Sequence, residues 1–171
     1  MIMAACLILA TTACKDEPMA VGTISSESMA LQASAVGSPN DREAIQQIVN
    51  TFDQTWGVDA ATYAGQYADA DFVGPTGVIL TAAEDILALY SGLFPAVAGT
   101  TRVSQIRSLT FLTGTIAVLN LDVRVTGPIP PFIVPWQPGI VRALEKNILV
   151  KRGGEWKIVE HQQLLVAPGV E

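Results

Sequence analysis

Apolar positions change their period along this chain. Ile45, Ile48, Val49, Phe52 and Trp56 recur at helical spacing and form one apolar stripe. Ser38 with Asp41, or Asn40 with Glu43, supplies a capping box ahead of it, and Pro39 suits a first helical turn. Gly57 ends this helix. Asp59 is placed to cap a second, Ala60 to Tyr67, in which Tyr63 and Tyr67 stand four apart on one face. Phe72-Val73 and Val78-Ile79-Leu80 flank Gly74-Pro75-Thr76-Gly77 and predict a short hairpin. Thr81 and Glu84 form a further capping box. The helix it opens puts Ile86, Leu87, Tyr90, Leu93 and Phe94 on its buried side and stops at Pro95.

After Ala98 the period becomes two. Thr101 to Leu112, Thr115 to Thr126, Val141 to Arg152 and Glu155 to Val166 predict four long strands, with Gly114 and Gly153-Gly154 at hairpin turns. Ala117, Leu119, Leu121, Val123 and Val125 share one face of the second, and Asn120, Asp122 and Arg124 the other. Between the second and third, GPIPPFIVPWQPG holds five prolines and is excluded from sheet interior. It predicts a long loop with Phe132 and Trp136 at its tips, either functional or covering a sheet edge. Helices followed by four antiparallel strands give an α+β cone, a curved antiparallel sheet wrapped around the N-terminal helices. The apolar row from Ala117 to Val125 then needs cover, which predicts a homodimer through the outer sheet face.

Charge and the N-terminus narrow the setting. The 171-residue chain carries a net charge of −6, and its ten Lys and Arg are scattered, which argues against a nucleic-acid surface. Met1 to Ala13 is almost wholly apolar, shorter than the roughly 20 residues of a membrane span, and runs into Thr12-Ala13-Cys14. This reads as a signal segment with a lipobox. Cys14 would be acylated and would hold the protein at the cell envelope, its only tie to a membrane; a plain secretory signal, or an N-terminus that is not a signal, is the alternative. Cys6 and Cys14 are the only cysteines, so the region beyond the leader has no disulfide or thiol chemistry. Residues 15–37 are small, polar and aperiodic and read as a tether, or as one holding a short helix from Ser28 to Ala35. The folded domain is 38–171.

Ala44-Ile45 and Phe52, Trp56 with Asp59, Tyr63 and Tyr67, and Asp69-Ala70-Asp71-Phe72-Val73 with Gly77 form one pattern. Leu149-Val150-Lys151-Arg152, Gly153-Gly154, Trp156-Lys157-Ile158 and His161 complete it. It resembles the NTF2-like superfamily, and within it the SnoaL-like/DUF4440 group of SgcJ/EcaC type, over about residues 38–166. The chain departs from that group in having Gly57 after the tryptophan and Gln162-Gln163 after the histidine. The resemblance implies a cone with a pocket and a habit of dimerising. It leaves the chemistry open, since such cones include isomerases, cyclases, hydrolases and binders.

His161 is the sole histidine, and strict alternation puts it with Val159 and Gln163 on the strand face opposite Trp156 and Ile158. Its reference pKa suits proton transfer, with Asp71 or Asp69 as carboxylate partner; the alternative is a histidine satisfied by a neighbour. Asp69 and Asp71 also suit a turn-forming Asx motif, the commoner use of such a spacing. Trp56, Tyr63 and Tyr67 read as core or as ligand-stacking residues, with Asn120 as a further candidate contact. Asp122 and Arg124 match part of the Asp-Arg-Asp group of the superfamily's epoxide hydrolases, or are neighbouring surface charges. One histidine and no cysteine beyond the leader leave little for a metal, and no cofactor is expected. Two functions follow: a module binding a small hydrophobic ligand, or an acid/base enzyme, isomerase- or cyclase-like, centred on His161.

Overall fold

The computed structural model describes residues 37–130 and 139–167. The leader with Cys14, nearly all of the tether, and Phe132 and Trp136 lie outside these. Helix α1, Pro39–Thr55, begins with the Ser38–Asp41 capping box and buries Ile45, Ile48, Val49 and Phe52. Asp41 also accepts from Lys151 Nζ at 2.6 Å and Trp156 Nε1 at 2.9 Å, which ties the helix start to the far end of the sheet. Trp56 is the C-cap, and Gly57 at φ 69° turns the chain away, a conformation that favours glycine. Helix α2, Ala60–Ala64, is capped by Asp59 through the Thr62 N–H. Helix α3, Ala83–Leu93, runs into a 3₁₀ turn at Phe94–Ala96.

Six strands among the described residues form one sheet: β1 Tyr67–Val73, β2 Ile79–Leu80, β3 Thr101–Thr113, β4 Ile116–Thr126, β5 Ile140–Arg152 and β6 Glu155–Leu165. Their order is β2-β1-β6-β5-β4-β3. The helices pack on one face, where Ala117, Leu119, Leu121, Val123 and Val125 are all buried. The architecture is the α+β cone expected from the periodicity, with the long strands placed to within two residues.

Four expectations are corrected. The sheet is mixed, because β1 runs parallel to β6 with Phe72 beside His161; alternation along one strand carries no direction. The second helix stops at Ala64, and Tyr67 opens β1 instead, because the Ile158 N–H bonds to the Gln66 carbonyl at 3.0 Å and recruits that backbone into the sheet. The apolar row of β4 is covered by the chain's own helices, so it does not call for a second copy. Helix α3 has Ala82 at its N-cap with no Thr81 cap, and it leaves Leu87 exposed while Leu89 packs inward.

The cap of α3 comes from elsewhere. Asp69 Oδ1, fourteen residues upstream, accepts the Ala83 N–H at 3.1 Å. Asp69→Ala is therefore expected to lower the unfolding free energy by about 1 kcal/mol. Thr81→Ala should stay within about 0.5 kcal/mol of wild type in the same urea titration. Equal effects of the two would refute the long-range cap.

Candidate functional site

Two polar residues that face the interior, His161 and Gln163, depend on one irregularity. In the β5–β6 ladder Leu149 pairs with Ile158 but Ile148 pairs with Glu160, so Val159 is an extra residue in β6. Such a bulge shifts the alternation by one. Trp156 and Ile158 on one side of it, and His161 on the other, therefore all face the core. This overturns the expectation that His161 and Trp156 occupy opposite faces. His161 then lies beside Asn147 of β5, and Gln163 beside Glu145.

Arg102 of β3 and Glu145 are 3% and 4% exposed, a full charge pair in an apolar interior. Arg102 Nη1 and Nη2 donate to Glu145 Oε1 and Oε2, both at 3.0 Å, in the bidentate geometry that makes such pairs strong. Gln163 Nε2 donates to Glu145 Oε1 at 3.0 Å. Asp53, on α1, lies 3.4 Å from Arg102 Nε in ion-pair contact, without a hydrogen bond to it. Both Asp53 oxygens accept from Ser104, from its N–H at 2.9 Å and its hydroxyl at 2.6 Å. The guanidinium also sits 5.6 to 5.8 Å from the ring centroids of Phe52, Trp56 and Tyr63.

These contacts set the charge states. Burial alone would push the Glu145 carboxyl up, but the Arg102 charge and the hydrogen bonds from Arg102 and Gln163 outweigh it and hold it below its ordinary range. Burial would likewise lower Arg102, and Glu145 reverses that, so the guanidinium stays charged. Burial raises Tyr63, Tyr67 and Tyr90 well above the usual phenol value, so all three keep their protons. His161 is pushed down to about 4, first by burial and then by Arg102, against an opposing pull from Glu145. It is neutral at pH 7.

A cavity of about 280 Å³ opens between the inner sheet face and the helices. Its walls are apolar and aromatic, with Trp56, Phe72, Leu93, Val123 and Ala143 prominent. Exposed Pro75, Thr76 and Val78 of the β1–β2 turn border it. Polar groups enter through Arg102, Gln163, Tyr63 and Tyr90. An apolar cleft with a few placed polar groups is the usual form of a small-molecule site.

The predicted site residues divide. Trp56 and Tyr63 line the cavity, while Tyr67 packs behind Phe72 and Tyr90, with ring centroids 5.8 and 6.4 Å away. His161 lies behind Phe72, stacked at 4.7 Å, and its Nδ1 meets Asn147 Oδ1 at 2.8 Å. Asp69 and Asp71 are exposed, and Asp71 sits in register with Glu160 beside the Phe72–His161 pair, so neither aspartate joins His161 in one enclosed site. Asn120 and Asp122 lie on the outer face, where Asn120 donates to Ser108 Oγ and Asp122 pairs with Arg142 rather than Arg124. Sequence reasoning missed Arg102, Glu145 and Asn147. Their signal was phase: Glu145 and Asn147 alternate in step with Val141, Ala143 and Leu149 on β5, where a charge is out of place.

Comparison with solved structures identifies the architecture. A domain of unknown function with a cystatin-like fold from Nostoc punctiforme superimposes with TM-score 0.65 at 19% identity, over 77% of this chain and 81% of that one. A type 2 hexachlorocyclohexane dehydrochlorinase gives 0.61 at 18% identity, over 77% and 96%. An NTF-2 like protein of unknown function from Shewanella oneidensis gives 0.59 at 13% identity, over 72% and 98%. The fold is the cystatin-like, or NTF2-like, cone. No protein-family profile and no curated protein matches the chain.

Proposed function

We propose that this cone is a small-molecule-binding domain whose ligand occupies the cavity between Trp56, Phe72 and Ala143. One observation carries the reading: a cavity of about 280 Å³ whose walls are apolar while its charged group, Arg102, is already paired. Binding in such a space is driven by burial of ligand hydrocarbon, with the polar groups fixing orientation. Acid/base chemistry centred on His161 has less support. That imidazole is screened by Phe72, and the Glu145 oxygens are occupied by Arg102 and Gln163. Proton transfer needs a group within hydrogen-bond reach of the substrate. The SnoaL-like pattern of the sequence agrees with a pocket-bearing cone and leaves its use open.

The test uses N-phenyl-1-naphthylamine, a neutral dye that fluoresces in apolar sites. The full-length protein should bind it saturably. Ala143→Phe, which projects a ring from β5 into the cavity, should lose at least about tenfold in affinity while keeping its cooperative unfolding. Unchanged binding by a folded Ala143→Phe protein would place the dye elsewhere and refute the proposed site.

A further inference from the structure

The charges around Arg102 restrict what the cavity accepts. Arg102 is 3% exposed and lines the cavity, yet its bonds to Glu145 use one N–H on each Nη. A guanidinium has five N–H donors, so further donors remain, and Nε makes no hydrogen bond. An acceptor atom on a ligand has something to bind.

A full negative charge does not suit it. One guanidinium is flanked by two carboxylates, Glu145 and Asp53, so the cluster already carries an excess negative charge. A ligand carboxylate would be desolvated in an apolar cavity against that excess. A cation fares no better, because the charged group lining the cavity is the Arg102 guanidinium itself, and neither Glu145 nor Asp53 lines it. Glu145 Oε1 and Oε2 hold Arg102 and Gln163, and Asp53 Oδ1 and Oδ2 hold Ser104. Gln163 adds a constraint of its own. The ionised Glu145 only accepts, so the Gln163 amide must turn its NH₂ toward it, and its carbonyl oxygen remains as an acceptor for a ligand hydroxyl.

We infer that the ligand is a neutral, mainly hydrocarbon molecule bearing a carbonyl or hydroxyl oxygen, docked on the Arg102 guanidinium beside Gln163. This rests on the cavity being the binding site. It adds a selection rule: oxygen is read, and ionic charge of either sign is rejected.

Four compounds on one skeleton test the rule with the wild-type protein, so no variant has to fold. They are 2-acetylnaphthalene, 2-isopropylnaphthalene as its hydrocarbon shape mimic, 2-naphthoate and 2-naphthylmethylammonium, titrated by calorimetry at pH 7. The ketone should bind about tenfold tighter than the hydrocarbon, the increment of one hydrogen bond to a charged donor. Both ions should bind about tenfold more weakly than the ketone or worse, given the desolvation of an unpaired charge. In ¹⁵N NMR the Arg102 side-chain N–H signals should move with the ketone and stay put with the hydrocarbon. Equal affinity of ketone and hydrocarbon overturns the inference and leaves the binding site standing. A tighter naphthoate or ammonium also overturns it. If none of the four binds and the dye does not bind either, the binding-site reading itself fails.

Discussion

Arg102→Met is expected to lower the unfolding free energy by about 3–5 kcal/mol, the range seen when one partner of a buried ion pair is removed. The loss is large because of what remains. Glu145, 4% exposed, would keep Gln163 as a donor but have no buried countercharge among the described residues. The cation held over Phe52, Trp56 and Tyr63 would go as well. The double variant Arg102→Met/Glu145→Leu removes both charges and should recover most of the loss, since well-packed apolar residues often replace a buried pair without penalty. Urea unfolding of wild type, the single variant and the double variant measures this. A single variant within about 1 kcal/mol of wild type would show that water reaches the pair and screens it, contrary to the burial described. A double variant no more stable than the single would show that the pair's geometry, and not its charge balance, holds the cone together.

Acidification from pH 7 to pH 5 should remove about 2 kcal/mol of stability through His161 alone. The sign follows from the direction of the shift. In the folded state His161 is pushed down to about 4, below its ordinary 6.5, so between these values the unfolded chain binds the proton that the folded one refuses. The contribution is complete above pH 6.5 and is lost as pH falls toward 4. Asp41 and Glu145, both held below their ordinary values of 3.8 and 4.5, lose their contributions at lower pH. The pH 5 to 7 window therefore isolates the histidine. His161→Gln keeps a hydrogen-bonding group beside Asn147 and cannot be protonated, so its stability should be nearly flat across the window. Parallel pH profiles for the two proteins would mean that His161 titrates as it would in water.

Local pattern was enough for most elements of this fold. The caps at Ser38–Asp41 and Asp59, the stripe Ile45–Phe52, the break at Gly57 and the four long strands all rest on residues within a few positions of one another. A helix stripe and a strand alternation are properties of one segment, so one segment reveals them. The site was different. Trp56 and Tyr63 were legible because aromatic residues on a core-facing stripe also face any space left in that core.

What the tertiary structure decided depends on a second element each time. The sequence by itself determined where β6 begins and ends, but not that Val159 is one residue too many. A bulge exists only relative to the partner ladder, here β5. That single residue turns His161 and Gln163 into the core and sets Gln163 against Glu145. Arg102 and Glu145 lie 43 positions apart, on strands separated by β4, and nothing in either segment names the other. Asp69 reads as half of a turn until the start of α3 is brought to its side chain. Tyr67 reads as helical until β6 captures the backbone before it. Periodicity records which way a side chain points relative to its own strand. Whether that direction is inward, and which charge waits there, is fixed only when the strands pair and the sheet closes over the helices.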